Sequence, residues 1–505
     1  MRNSRRDAWA GISAVAAGAG VGHLVASIIA PDASPVLAIG SALIDATPTP
    51  LKEFAVRWLG TADKPVLVAG VALGALAFGA VAGVLQRRGL GIWLILVLAA
   101  TCAWATTTRP SSGSYAIVPS LLAGLIGMGV LTGLTGRADG REPPAAPSTA
   151  AAALDRRTTI GSALAVAGGL VAGGVGVLRN GSALPADVVT ALPRSATPLP
   201  PLAVGLEQTT PGLTAFRTPV ADFYRIDTAL AIPRVSLPDW RLTIDGDVDA
   251  PYDLTYADLL ALPMMEADIT LNCVSNPVGG DYIGSTRWLG VPVRDVLRRA
   301  RIRASADQIL STSVDGMTIS TPVDALLDDR GALLAVAMDG RPLTPMHGYP
   351  VRLVTPGLYG YVGATKWLTR LTATTYAAQQ AYWTERGWAE RAEVQTQARI
   401  DLPRDRRVAA GPVVIAGVAW SQARQGISRV EVRVDDGDWV EADLGPDAGG
   451  HYWRQWRTTW KATASGRHTV TVRAVDGTGA AQTDQVADPF PSGATGLHTL
   501  DVEVD

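Results

Sequence analysis

Cys273 is the residue whose type and setting most plainly invite chemistry. The 505-residue chain holds two cysteines, and the other, Cys102, lies inside an apolar run from Gly89 to Thr107. A disulfide needs Cα atoms within ~7 Å of each other, which a residue at bilayer depth cannot offer to one in an aqueous domain. Cys273 is therefore a lone thiol. It closes a strand expected over Ala267–Asn272 and precedes the loop Ser275-Asn276-Pro277-Val278-Gly279-Gly280, a place from which a side chain can project into a site. A thiolate is a soft ligand that suits a redox metal. On the residue alone, a buried thiol acting as a small hydrophobe is an equally admissible reading. Asp315, just before Gly316, reads either as a site residue or as a turn residue. Haem bound between helices needs two intramembrane histidines, and His23 alone falls in the apolar runs, so no haem is expected in this chain.

The residues around Cys273 carry a resemblance. The run Thr270-Leu271-Asn272-Cys273-Val274-Ser275-Asn276-Pro277, continuing to Arg287-Trp288-Leu289-Gly290-Val291-Pro292, resembles the core motif of the sulfite-oxidase family of molybdopterin enzymes. A second block is similar to that family's pterin-binding segment: Asp339-Gly340-Arg341-Pro342-Leu343, His347-Gly348-Tyr349-Pro350-Val351-Arg352, and Ala364-Thr365-Lys366-Trp367. The resemblance implies a molybdenum–molybdopterin cofactor with Cys273 on the metal. It also implies that His347, Arg352, Thr365 and Lys366 hold the pterin and its phosphate. Arginine offers forked donors and lysine a point charge for such an anion. Phe223-Tyr224-Arg225-Ile226-Asp227 stands where the family has an Arg-Asn-His segment; Arg225 fits and the histidine does not. Asp315 stands where the family places a pterin-contacting aspartate.

Departures from the family fall on the substrate side. Pro277 and Val278 replace arginines that sulfite oxidases carry after Cys-x-x-Asn, and Trp388 stands for a tyrosine expected after Lys366. Arg424 offers one cation from the C-terminal region. Each charged hydrogen bond is worth roughly 1.5–3 kcal/mol, so a pocket short of cations binds a dianion such as sulfite less well. The expected chemistry is oxygen-atom transfer on a small substrate, with Cys273, Arg225, Trp388 and Arg424 at the catalytic side. The alternatives are a sulfoxide or N-oxide reductase of the same family, or a non-catalytic binding module displayed on a membrane.

The elements that must position these residues fall in two halves. Apolar excess concentrates in the first 180 residues. Five stretches are long and apolar enough to span a bilayer, which takes about 20 residues: Ala8–Ala30, Pro65–Leu85, Gly89–Thr107, Tyr115–Gly136 and Thr158–Leu178. Arg2, Arg5, Arg6, Arg87, Arg88, Arg137, Arg141, Arg156 and Arg157 then share one side, against Lys52, Arg57, Lys64 and Arg109 on the other. The positive-inside rule makes the richer side cytoplasmic and puts all that follows Leu178 outside. Gly70/Gly74, Gly79/Gly83 and Gly169/Gly173 have the spacing that lets helices approach closely. Pro50–Leu59 reads as an amphipathic piece on the membrane surface. Arg156-Arg157 before a weakly apolar run resembles a twin-arginine export signal.

The expected organisation is a four-helix transmembrane region (1–136), a cytoplasmic linker (137–157), a fifth span (158–178) and a tether (179–215). An α+β molybdopterin domain (216–405) follows, then an immunoglobulin-like sandwich (406–505) whose blocks, such as Gly417-Val418-Ala419-Trp420, resemble the family's dimerisation domain. The sandwich thus offers a surface for a homodimer. Net charge of −2 gives no basic face for nucleic acid. The partners implied are the bilayer, a small substrate and a separate electron carrier, a cytochrome or the quinone pool.

Overall fold

The structure is a computed structural model of the whole chain, and it describes residues 2–59, 62–109, 113, 115–135, 149–180 and 192–505. Most of the expected linker, and residues 181–191 of the expected tether, lie outside the described residues. The described residues form two compact units. One comprises the residues up to 180 together with Thr228–Arg234; the other comprises residues 192–227 and Val235–Asp505.

The first unit is helical. Its helices are α1 (Arg2–Ile29), α2 (Pro35–Ala46), α3 (Thr49–Leu59), α4 (Asp63–Leu85), α5 (Gly91–Thr107), α6 (Val118–Thr135) and α7 (Thr149–Asn180). Three segments among the described residues are long and apolar enough to cross a membrane: Ser4–Ile29, Asp63–Arg88 and Val118–Thr135. The expected spans in α5 and α7 give shorter apolar stretches, Gly91–Thr107 and Ile160–Val175. Glycine explains part of the packing. A Cβ on Gly79 would lie 2.7 Å from the Gly11 carbonyl oxygen, and one on Gly83 would strike the Asp7 carbonyl, so α1 and α4 touch backbone to backbone there. Gly169 likewise sits against Ala16 of α1. Gly70 and Gly74 behave otherwise, because a Cβ at either meets nothing within 4 Å. The close-approach reading therefore holds for Gly79/Gly83 and Gly169 and fails for Gly70/Gly74. In α3, Leu51, Phe54 and Trp58 are exposed, an apolar face at helical spacing.

The second unit contains four sheets. Strands β1 (Arg241–Gly246), β2 (Tyr252–Thr255), β5 (Gln308–Ser313), β6 (Thr318–Pro322) and β10 (Leu368–Thr374) make one, ordered β2-β1-β10-β5-β6. Strands β3 (Met265–Asn272), β4 (Ile283–Pro292), β7 (Leu333–Met338), β8 (Arg341–Pro342) and β9 (Arg352–Val354) make another, with β7 between β4 and β8 and also paired to β9. All six residues of β7 are buried, as an interior strand requires. Short helices α8 (Tyr256–Leu260), α9 (Val293–Ala300), α10 (Val323–Leu327) and α11 (Gly360–Gly363) intervene, so this part is α+β as expected. Thr255 and Asp258 form a capping box on α8. In α9, Val293, Val296, Leu297 and Ala300 are buried on one stripe, and Arg301 ends the helix in the left-handed region at φ 56°.

The remaining strands are β11 (Gln397–Leu402), β12 (Arg407–Val408), β13 (Gly411–Trp420), β14 (Ile427–Val434), β15 (Val440–Glu441), β16 (Asp443–Leu444), β17 (Arg454–Ala462), β18 (Gly466–Asp476) and β19 (His498–Val504). They form sheets β11-β13-β17-β16 and β12-β19-β18-β14-β15. One buried cluster joins Ile400, Ile415 and Trp456 of the first to Val430, Val472 and Val502 of the second, so the two sheets share a core. Strand β11 precedes the expected boundary at residue 406 and pairs with β13 along its length. The segment Val440–Leu444 is split at Ala442, its halves β15 and β16 serving different sheets. The expected tether also differs from a free linker. Ala196 N–H donates to the Met264 carbonyl at 2.7 Å, Leu199 N–H to Glu266 Oε2 at 2.8 Å and Leu206 N–H to Gln455 Oε1 at 2.7 Å. Proline-rich composition excludes a helix there but leaves backbone donors free to dock on a neighbouring strand.

Candidate active site

The ladder between β3 and β4 runs out at Asn272↔Ile283, and Cys273 N–H then donates to the Tyr282 carbonyl at 2.9 Å. The turn beyond is fixed by its own side chain, since Asn276 Oδ1 accepts from Tyr282 N–H at 2.9 Å. Gly279 (φ +77°) leaves room for the ring of His498, which a Cβ there would strike. Cys273 is buried and unbridged. Burial raises its thiol pKa, opposed by hydrogen bonds from the Ser275 amide and hydroxyl. A buried thiol held in its neutral form is a poor nucleophile but still binds a soft cation, which displaces the proton.

Two phenols lie within electrostatic reach of Cys273. Tyr224 and Tyr359 are both pushed upward, first by burial and then by Cys273 among other charges, Tyr359 to about 12. A Cβ on Gly360 would stand 3.9 Å from the Tyr224 hydroxyl and 3.8 Å from the Asn272 carbonyl, so both face the start of α11. Trp388, expected in place of a tyrosine, is buried in the same cluster as Tyr359 and Val274 and packs on Tyr361, Trp383 and Phe490. Its indole N–H has no partner.

A set of cations stands over aromatic rings nearby. Phe223 stacks on Tyr224 at 5.5 Å and meets Trp288 and His347 edge-on, each at 5.8 Å. Arg352 is 6 % exposed, lies 5.1 Å over the Trp288 ring and donates through one terminal nitrogen to the His347 carbonyl at 3.2 Å. Its Nε has no partner, and among the described residues no carboxylate pairs with it. Burial lowers its pKa to about 10. His347 sits on the turn Pro345–His347, its Nε2 3.1 Å from the Val220 carbonyl. Burial and then Arg352 depress it to about 4, so it is neutral at physiological pH.

Lys366 ends the set. Its Nζ is 2.6 Å from Asp227 Oδ2, and Arg225 grips the same carboxylate through Nε at 2.8 Å. Burial lowers Lys366 to about 8 against the opposing pull of Asp227. Asp315 lies within the field of Asp227 and Lys366, and burial raises its carboxyl. Thr365 is buried, its hydroxyl 2.5 Å from that of Ser311. Gly348 (φ +101°) makes the close approach possible, because a Cβ there would stand 3.0 Å from Lys366 Cα, Cβ and Cγ.

The structure thus gathers Arg225, Lys366 and Asp315 around Asp227, His347 beside Arg352, and Tyr224 and Tyr359 at Cys273. Arg424 is exposed on the turn Gln422–Arg424, and its guanidinium makes no hydrogen bond or ion pair among the described residues. The sequence reading named neither Asp227, Tyr224 nor Tyr359 as a site residue. Asp227 and Tyr224 stood inside the quoted Phe223–Asp227 block, and nothing local marks Tyr359.

Two observations test what such a site holds. Among the described residues no three His, Cys, Asp or Glu side chains gather as a protein-built metal cage. Buried Arg352 Nε, Asn272 Oδ1, Asn276 Nδ2 and Thr355 Oγ1 lack partners among the described residues, though buried polar atoms are ordinarily hydrogen-bonded. An anionic, hydrogen-bonding organic group carrying its own metal ligands, with Cys273 adding one more, suits both, and the residues present fit it.

The comparisons agree. The model of the oxidoreductase molybdopterin binding domain family matches residues 229–383. The uncharacterized oxidoreductase YuiH of Bacillus subtilis is 32% identical over 154 residues, covering 30% of this chain and 74% of that protein. Rat mitochondrial sulfite oxidase is 29% identical over 258 residues, 43% of this chain and 47% of that one. The crystal structure of the sulfane dehydrogenase SoxCD from Paracoccus pantotrophus matches with a TM-score of 0.50 at 25% identity, covering 57% of this chain and 81% of that one. This chain spans under half the length of rat sulfite oxidase and about a third of an Arabidopsis thaliana nitrate reductase, 47% and 32% respectively. The fold and site define a cofactor-dependent redox enzyme. The chain belongs to the sulfite-oxidase-like family of molybdopterin oxidoreductases, and the family implies a molybdenum cofactor.

Proposed function

We propose that this protein is a membrane-anchored, extracytoplasmic enzyme that moves an oxygen atom to or from a small substrate less charged than sulfite. The observation that carries the site assignment is Arg352: a buried guanidinium with a free Nε and no carboxylate partner calls for an anion from outside the chain. The bound molybdopterin would supply two-electron redox chemistry. Cys273 would hold the metal through its sulfur, Arg352 and His347 would orient the pterin, and Lys366, Arg225 and Thr365 would secure its phosphate end. Neutral His347 donates or accepts one hydrogen bond without adding charge. Trp388 and the Tyr224 and Tyr359 phenols would shape the substrate side and exclude water. Lacking arginines at Pro277 and Val278, and with Arg424 on the surface, that side offers few cations to a dianion.

An odd number of spans, five on the sequence reading, with the N-terminus inside would place the catalytic unit outside the cytoplasm; the distribution of arginines and three suitable helices among the described residues support this. Arg156-Arg157 would then act in export of the folded, cofactor-loaded domain. The paired C-terminal sheets support the immunoglobulin-like reading and offer a homodimer surface. Purified full-length protein, assayed with an artificial electron carrier against sulfite, neutral sulfoxides and N-oxides, tests the substrate class. A kcat/KM for sulfite at least tenfold below that for a neutral substrate is expected; sulfite as the best substrate contradicts the reading.

A further inference from the structure

The helical unit encloses a cleft of about 660 Å3, walled by α1, α2, α4, α5 and α6. That volume is in the range of small-molecule sites, and the wall is almost wholly apolar. The glycines that line it, Gly70 and Gly74, differ from the packing glycines of the same helix. Gly79 and Gly83 of α4 carry α1 at backbone contact, whereas a Cβ on Gly74 or Gly70, about one and a half and two and a half turns before Gly79, would meet nothing within 4 Å. Both line the cleft, so a large side chain there would take up part of it.

The wall holds one polar group that the fold leaves unused. Ser120 is fully buried, and its hydroxyl has no partner among the described residues. Other hydroxyls in these helices turn back on their own backbone: Thr101 to the Val97 carbonyl at 2.9 Å, Thr132 to that of Met128 at 2.9 Å. Such back-bonding is the usual refuge of a hydroxyl at membrane depth. Ser120 is instead free to donate to an acceptor in the cleft. Leu43 and Val66, which also line it, are exposed, so one side is open to the surroundings.

We infer that this cleft binds a lipophilic quinone, its ring carbonyl accepting from Ser120 and its isoprenoid tail leaving past Leu43 and Val66. The choice of quinone rests on the redox reading above. Adding a water-derived oxygen atom to a substrate releases two electrons and two protons, and one quinone becoming a quinol takes up the same two of each. The site itself stands on the geometry of the helical unit.

The test uses the full chain in nanodiscs of saturated phosphatidylcholine, with a radiolabelled naphthoquinone of short isoprenoid tail as probe. Saturable binding near one equivalent per chain is expected. Gly74→Leu, at a position where a Cβ meets nothing within 4 Å, should weaken it at least tenfold, and Ser120→Ala threefold or more, with molybdenum content unchanged in both. Uptake no greater than by empty nanodiscs, or equal in Gly74→Leu, overturns the assignment. So does displacement of the probe by excess phospholipid as readily as by unlabelled quinone, which would make the cleft a lipid site. Quinone binding by a chain that carries no molybdenum would sink the oxidoreductase reading and leave this site standing.

Discussion

At the scale of single residues, the site is a contest between burial and charge, and each group's protonation follows from which wins. His347 has a folded pKa of about 4 against 6.5 when free, because burial and Arg352 disfavour the imidazolium. The unfolded chain then binds the extra proton first, so stability is complete above pH 6.5 and falls as pH drops toward 4. The shift corresponds to at most about 3 kcal/mol. In thermal melts from pH 7 to 4, His347→Gln should lose less stability than the wild type over that window; equal loss would mean His347 is not buried neutral. Arg352 makes a separable prediction. If it serves an anion rather than the fold, Arg352→Met should unfold in urea within about 1 kcal/mol of wild type while retaining less than a tenth of the cofactor. A large loss of stability with cofactor intact would assign it a structural role.

Secondary structure was legible where burial leaves a periodic trace. β7, α9 and β14 each carry in the sequence the continuous, helical or alternating apolar pattern that their burial requires. Strand β4 leaves no such trace, because Gly284, Ser285, Thr286 and Gly290 break the apolar signal, although the strand is mostly buried. Within the site, Cys273, His347, Arg352 and Lys366 stood out through family-like blocks. Asp227 and Tyr359 did not, because what matters there is a contact brought about by folding: Asp227 reaches Lys366 across the domain, and Tyr359 reaches Cys273 from the start of α11. Glycine at positive φ supplies a prediction at this scale. Gly348→Ala combines a left-handed backbone, costing roughly 1–2 kcal/mol, with a collision at Lys366. It should lower the unfolding free energy by at least that amount and reduce cofactor content; a neutral effect on both would contradict the close approach. In the helical unit, Gly83→Leu should abolish accumulation of folded protein where Gly74→Leu does not, read by detergent-solubilised yield and monodispersity.

For the whole molecule, the composition divides the chain as the structure does, into an apolar helical unit and an ordinary α+β and β-rich unit. The first supplies segments fit for a bilayer, and the second supplies the cofactor site. Protease added outside intact cells should release a fragment carrying the catalytic unit, cut after α7; full protection of that unit would overturn the proposed topology. The central claim is narrower, that one protein sulfur grips the metal. Molybdenum K-edge absorption spectroscopy on the purified full chain measures it directly, by counting sulfur neighbours. The expected result is one sulfur fewer in Cys273→Ser than in wild type, with an oxygen in its place or with the metal lost. An unchanged sulfur count at full molybdenum occupancy would show that Cys273 is only a buried thiol.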